Sequence, residues 1–269
     1  MSKPIVTRYT VETSLKLSKP VKIAHISDLH ERNCDDILAL LRRNKPELIL
    51  ITGDTFERYD NKPQYDFEHR PVKKLIINTI HYSNFLLTMI TPDRHRAHYI
   101  NALRFLREAK KLAPVYMSLG NHEEKLLEKD YRFLRANGIT LLENADIALT
   151  IGNFHFLLGG MSCWNYEAWL PTFLSKSGYK ILMCHRPEMY AELLTDSGVD
   201  LVLSGHTHGG QVRIGKKGKG FFVPGQGIFG KYAHGRFFDG RLIVSAGCAN
   251  TVFFPRLFNP RELVMIEVK

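Results

Sequence analysis

Five short β-rich runs in this chain pass directly into polar residues that bind metals or move protons, and this pattern constrains the fold more than any other feature. Residues 21–27 (VKIAHIS) run into Asp28-Leu29-His30, 47–52 (ELILIT) into Gly53-Asp54, and 114–119 (PVYMSL) into Gly120-Asn121-His122-Glu123. Residues 180–184 (KILMC) run into His185, and 200–204 (DLVLS) into Gly205-His206-Thr207-His208-Gly209-Gly210-Gln211. Helical periodicity lies between most of them: 35–44 (DDILALLRRN), a basic amphipathic stretch at 101–111, a segment at 124–137 closed by Gly138, and one that starts after Pro187. This alternation predicts an α/β layered core, with a further strand at 151–159. The C-terminal quarter differs. Its runs at 221–224, 241–245 and 262–268 are joined by Gly-rich turns without helices, which predicts a second sheet there packed on the first.

In an open α/β sheet, ligands bind in the crevice outside the carboxyl ends of the strands. Asp28, Asp54, Asn121 and five histidines (His30, His122, His185, His206, His208) are therefore expected on one rim. Imidazole, carboxylate and amide oxygen suit Zn, Mn, Fe or Mg, and the lack of cysteine at these positions argues against a structural zinc knot. One carboxylate can bridge two cations, and two metals about 3.5–4 Å apart hold both the attacking and the leaving oxygen of an in-line displacement at phosphorus. A hydroxide between such metals is a nucleophile near neutral pH.

Composition narrows the class without choosing a substrate. Hydrophobic residues are 44% and charged residues 24% of the 269, which excludes a disordered or fibrous chain. Thirty-seven Lys and Arg against 27 Asp and Glu give +10, a surface suited to phosphate metabolites, nucleic acid or an acidic membrane face. Cys34, Cys163, Cys184 and Cys248 have no CxxC spacing and read as reduced, packed thiols. The first 19 residues are charged throughout and hold no apolar signal-peptide core, and no stretch reaches the roughly 18 apolar residues of a membrane span. A cytoplasmic location is expected, with peripheral membrane contact open through 71–90 and its flanking Lys73 and Lys74. The stretch between the second and third polar clusters is out of proportion. Sixty-seven residues separate Asp54 from Asn121, and 57–112 is expected to be an insert forming a lid or helical hairpin within a single domain.

The motifs DLH, GD, GNHE, a lone His and GHTH, in that order, resemble those of the calcineurin-like metallophosphoesterase superfamily from about Val21 to the C-terminus. The extended GHTHGGQ and the late VPGQG and PRLFNPREL segments are similar to a bacterial subgroup of phosphodiesterases and UDP-2,3-diacylglucosamine pyrophosphatases. The resemblance implies a four-layer αββα sandwich of two mixed sheets flanked by helices. It implies one metal (Mn, Fe or Zn) held by Asp28, His30, Asp54 and His208. A second would be held by Asp54, Asn121, His185 and His206, with Asp54 as the bridge and His122 as the general acid that protonates the leaving alkoxide. The stretch GDTFER resembles the family's GDxxDR form, in which the Asp orients the catalytic His and the Arg grips phosphate. Here Glu57 stands at the place of that Asp, which leaves its orienting role open, and Arg58 keeps its type.

The expected reaction is hydrolysis of a phosphodiester or pyrophosphate in a small-molecule or lipid-headgroup substrate. A nuclease is the first alternative, motivated by the net charge and by Arg94, Arg96, Lys110, Lys111, Lys216, Lys217 and Lys219. A metallophosphoesterase-fold scaffold without activity is the second.

Overall fold

A computed structural model describes residues 3–58, 98–215, 218–251 and 255–269. In chain order the principal elements are β1 (Ile5–Val11), β2 (Val21–Ile26), α1 (Asp35–Asn44), β3 (Leu48–Thr52), α2 (Tyr99–Lys110), β4 (Val115–Ser118), α3 (Glu128–Ala136) and β5 (Thr140–Leu141). They continue with β6 (Ala145–Ile151), β7 (Phe154–Met161), α4 (Leu170–Ser175), β8 (Tyr179–Cys184) and β9 (Leu201–Ser204). Last come the two-residue strands β10 (Arg213–Ile214), β11 (Lys219–Gly220), β12 (Phe222–Val223) and β13 (Gly227–Ile228), then β14 (Gly235–Phe237), β15 (Leu242–Val244) and β16 (Glu262–Val268).

Two six-stranded sheets result, in the orders β1-β16-β2-β3-β4-β5 and β14-β15-β9-β8-β7-β6. Both are mixed: β2 to β5 run parallel while β16 is antiparallel to β2, and β15, β9, β8 and β7 run parallel while β14 and β6 are antiparallel at the edges. The continuous apolar runs follow from burial on both faces. In β3, Leu48 and Leu50 point between the sheets while Ile49 and Ile51 point outward into the α1–α2 layer. In β8, Ile181 and Met183 point between the sheets while Leu182 and Cys184 face Leu170, Phe173 and Tyr190. Three apolar layers therefore separate four structural ones, helix, sheet, sheet and helix, as the sequence motifs imply. Each fully buried aliphatic side chain contributes about 1.5–3 kcal/mol, so the sheets form a stiff platform for the loops at their ends.

The C-terminal expectation needs correction. The strands of the last quarter do not make a sheet of their own. The run 262–268 returns to the first sheet, between β1 and β2, while β15 and β14 extend a second sheet whose other members come from the middle of the chain. The reason lies in the run itself: Leu263 and Met265 on one face and Val264, Ile266 and Val268 on the other are all buried, and only an interior strand hides both faces. The strand at 221–224 is likewise a two-residue hairpin arm, outside both sheets. Strand β1, in the charged N-terminal stretch, was not apparent from its pattern; its pairing partner is β16, more than 250 residues away. After Pro187 the chain makes a single π turn, Tyr190–Leu194.

Of the stretch 57–112, the described part from His98 on builds α2, whose Ala102, Phe105, Leu106 and Ala109 pack into the outer layer of the first sheet. The portion 59–97 of the lid or hairpin expected over 57–112, with Lys73, Lys74, Arg94 and Arg96, lies outside the described residues, as do Lys216 and Lys217. Cys34, Cys184 and Cys248 are buried, Cys163 is half-buried, and none is in a disulfide. Among the described residues no helix is long and apolar enough to cross a membrane.

Candidate metal centre

The rim residues emerge where β2, β3, β4, β8 and β9 end, and the backbone there bends in an unusual way. Asp28, His30, Asp54, His206 and His208 all have positive φ, between 48° and 69°. Asp and His tolerate this left-handed region better than most residues, yet such positions still cost of order 1–3 kcal/mol and cluster at functional sites. The bends turn five side chains inward from loops that would otherwise carry them past the sheets. Glycine makes room at two contacts: a Cβ on Gly120 would collide with Asp54 Oδ1, and one on Gly205 with Ser27 Oγ and Asp28 Oδ2.

The seven Asp and His residues expected on the rim converge. Three sets present donor atoms within 4.8 Å of one another: Asp28, His30 and His208; His30, Asp54 and His122; and Asp54, His185 and His206. Asp54 belongs to two. Its Oδ2 lies 3.6 Å from His30 Nε2, 3.1 Å from His185 Nε2 and 3.9 Å from His122 Nε2. Within the first set His30 Nε2 is 3.2 Å from His208 Nε2 and 3.8 Å from Asp28 Oδ1. Asn121 is buried at the head of the turn Asn121–Glu123, next to His122, whose backbone N–H donates to Asp54 Oδ1 at 2.9 Å.

Donor chemistry tests whether cations fit. Tetrahedral ligands about 2.1 Å from a zinc-sized ion lie about 3.4 Å apart, close to the spacings here. His185 Nδ1 donates to the Thr52 carbonyl at 2.6 Å, so a neutral ring turns its Nε2 lone pair toward the Asp54 carboxylate. A lone pair facing a carboxylate is repulsive unless a proton or a metal lies between them. Asp54 Oδ2, His185 Nε2 and His206 Nε2 are buried without hydrogen-bond partners, and leaving such groups unpaired is costly. Charge agrees. Burial opposes protonation of His185 and His30, but Asp54 overcomes it at His185 and Glu57 and Asp28 overcome it at His30, pushing them up to about 9 and about 10. Burial and the neighbouring His185 hold His206 well below its ordinary value, and burial brings His208 down to about 3. Without a cation, two imidazoles must protonate to compensate the carboxylates. With one, all four can stay neutral ligands. His208 carries a condition: Arg256 Nη2 donates to its Nδ1 at 3.1 Å, so ligation through Nε2 requires this contact to loosen or the ring to turn over.

Three supports escaped the sequence reading or were left open by it. Glu57 Oε1 accepts from His30 Nδ1 at 2.9 Å and Oε2 from His122 Nδ1 at 2.8 Å. One carboxylate thus fixes both rings from behind, an arrangement that aims the far nitrogens at the site. Glu123, buried, accepts from the backbone N–H groups of Gly120, Asp54, Phe56 and Thr55 and so ties the β3 loop to the β4 loop. Burial and Asp54 push its pKa up to about 7. Asn259 Nδ2 donates to the His208 carbonyl at 2.7 Å. Only the acid in GNHE and the length of Glu57 signalled any of these in advance.

Arg58 is engaged elsewhere in this structure. Expected to grip phosphate, it directs Nε and Nη2 to Asp130 at 2.9 and 3.2 Å and Nη1 to Glu31 at 2.8 Å, with its guanidinium 4.8 Å from the Tyr99 ring centre. The buried Asp130 carboxylate competes successfully for the fork, and Arg58 fastens α3 to the β3 loop.

Residues 21–210 match the model of the calcineurin-like phosphoesterase family. Among curated relatives, the chain is 28% identical to the uncharacterized protein YpbG of Bacillus subtilis over 77% of this chain and 68% of that one. It is 26% identical to the phosphodiesterase YaeI of Escherichia coli over 79% and 72%, and 27% identical to an uncharacterized metallophosphoesterase of Aquifex aeolicus over 98% and 91%. Since the matched span runs from the first strand of the rim through the GHTHGG turn, it contains every converging residue, and the chain belongs to the calcineurin-like phosphoesterase family.

Proposed function

We propose that the chain hydrolyses phosphodiester or pyrophosphate bonds at a two-metal centre. Asp28, His30, Asp54 and His208 would hold one ion, and Asp54, Asn121, His185 and His206 the other. The observation that carries this reading is the position of Asp54 Oδ2, buried, without a hydrogen-bond partner, and between imidazoles of two different donor sets. Bound metals supply Lewis acidity toward phosphoryl oxygens and lower the pKa of water.

The chain's own residues would do the rest. Asp28 and Asp54 bring negative charge, and the neutral faces of His206 and His208 fill the remaining donor positions. His122 is the acid in this reading. Its side chain is 23% exposed, against 13% for His208 and none for His30 and His185, so it is the most open of these rim imidazoles to a leaving alkoxide. Glu57 keeps the Nδ1 side of that ring occupied and so directs Nε2 inward, from which the imidazolium form would donate its proton. The preference for diesters is supported by the relative named a phosphodiesterase, and by the GHTHGGQ and PRLFNPREL segments that resemble the bacterial subgroup.

The test is metal content of the purified protein by mass spectrometry, with turnover of bis-p-nitrophenyl phosphate and p-nitrophenyl phosphate followed in the same sample with Mn added. About two metals per chain and faster diester cleavage are expected. Asp54→Asn should lower the metal content, and His122→Ala should keep it while losing about 10²–10⁴ in rate. Absence of metal after reconstitution would overturn the two-metal reading, and a faster monoesterase would overturn the diester preference.

A further inference from the structure

Exposed apolar side chains are concentrated where the chain leaves the GHTHGG turn. Ile214, Phe221, Ile228, Phe229, Leu257 and Phe258 are all exposed, Phe229 to 53% and Phe258 to 86%. They belong to one small ribbon. The Arg213 N–H donates to the Leu257 carbonyl, the Phe221 N–H to the Val212 carbonyl, and the Phe229 N–H to the Phe221 carbonyl, which sets four backbone segments side by side. At about 4.8 Å per segment the ribbon is only about 15 Å wide. The rings of Phe221 and Phe229 meet edge to face with centres 5.5 Å apart. The ribbon is fastened to the rim, because Gly210 sits so close to Gly220 that a Cβ would collide, and Asn259 holds the His208 carbonyl.

Charge follows the same segment. Between 205 and 261 the sequence has nine Lys and Arg and a single acid, Asp239, although Arg256 and Arg261 are buried and Arg261 is paired with Asp36. Lys219 and Lys231 are exposed on or beside the ribbon. A second copy of the same face would bring these lysines against one another. Single-stranded nucleic acid would use the phenylalanine rings, since bases stack on aromatic faces, but it has no use for Ile214, Ile228 and Leu257. Apolar side chains of both kinds beside the exposed Lys219 and Lys231 suit the boundary between acidic headgroups and acyl chains.

We propose that this ribbon docks the protein on an anionic lipid bilayer, with the rim facing the interface. The docking is independent of which phosphoester the site cleaves, so its test needs no substrate. The full chain is sedimented with vesicles of phosphatidylcholine, with and without phosphatidylglycerol. Binding to the anionic vesicles, weakened by salt and absent with phosphatidylcholine alone, is expected. The double variant Phe229→Ser, Phe258→Ser should bind roughly tenfold more weakly or worse, and Lys219→Gln about fivefold more weakly, both with an unchanged thermal midpoint because the altered side chains are exposed. No sedimentation with anionic vesicles, or equal binding by the double variant, would overturn the proposal. So would an RNA affinity or a concentration-dependent dimer that the double variant abolishes while vesicles are not bound.

Discussion

The rim joins two halves that are held in opposite ways. The half on β2, β3 and β4 supplies Asp28, His30, Asp54, Asn121 and His122, and its braces are carboxylates: Glu57 behind two rings and Glu123 under two loops. The half on β8 and β9 supplies imidazoles alone, and its braces are neutral or cationic: the Thr52 carbonyl, the Asn259 amide and the Arg256 guanidinium. The first half therefore concentrates four carboxylates in a buried volume and is the part whose integrity depends on cations. The second approaches that charge with neutral lone pairs. Breaking a brace in the first half leaves buried charge or several orphaned N–H groups, whereas removing Asn259 from the second leaves a single amide contact unmade.

The largest expected effect is thus at Glu123. Glu123→Ala removes the acceptor of four backbone N–H groups, Gly120, Asp54, Thr55 and Phe56, all in buried loops. With about 1 kcal/mol or more lost at each, destabilisation of about 4 kcal/mol is expected, or a fall of roughly 10 °C in the thermal midpoint. Calorimetry checks it. A fall under a couple of degrees would show that the loops hold without this carboxylate and that the halves are not so different.

Next is Glu57, where activity rather than stability should respond. Glu57→Gln keeps the shape but gives up one carboxylate oxygen, so either His30 or His122 loses its acceptor. A drop of about 10–100-fold in metal affinity or kcat is expected, the usual cost of a lost support behind a metal-binding imidazole. Glu57→Asp is more informative. Its side chain is one methylene shorter and cannot keep both 2.8–2.9 Å contacts without backbone movement. If it restores full activity, bridging two rings is not what Glu57 contributes.

Arg58 sharpens the comparison from another side, because it separates bracing from substrate binding. Arg58→Ala strands Asp130, which is fully buried, and a stability loss of about 2 kcal/mol is expected after allowance for the partial exposure of the pair. KM for a diester should stay within about twofold, since the guanidinium is spent on Asp130 and Glu31. A large rise in KM with unchanged stability would return Arg58 to the phosphate-gripping role that GDTFER implies.

How far the sequence carries these conclusions depends on the range of each contact. Strand ends bearing Asp, Asn and His are local signals, and those Asp, Asn and His residues stand at the ends of β2, β3, β4, β8 and β9 in the structure, whereas Arg58 turns to Asp130 and Glu31. Glu123 was visible in the motif, but its work was not, because its partners Asp54, Thr55 and Phe56 lie 67 to 69 residues earlier. Arg256 and Asn259 reach His208 across 48 and 51 residues of Gly-rich turns that show no periodicity. Strand β16 carries a clear β pattern, yet pattern alone does not say which sheet has an open slot; that choice is made by β1 and β2, which leave a gap that only a strand buried on both faces fills.

Asn259 gives the smallest effect and the cleanest contrast with Glu123. Its Nδ2 donates one hydrogen bond, to the His208 carbonyl, and its side chain packs against Gly209 so closely that a Cβ there would collide with Oδ1. Asn259→Ala removes that single bond and leaves a pocket that water or a small shift of the loop can fill. About 1 kcal/mol of stability is expected to go, with a fewfold loss of turnover as the His208 ring relaxes against Arg256. Gly209 has φ +63°, so the turn keeps its shape through its own backbone preference even when the amide is gone. Equal losses from Asn259→Ala and Glu123→Ala, measured side by side by thermal unfolding, would mean that neutral braces carry as much as charged ones, and the contrast between the two halves would fail.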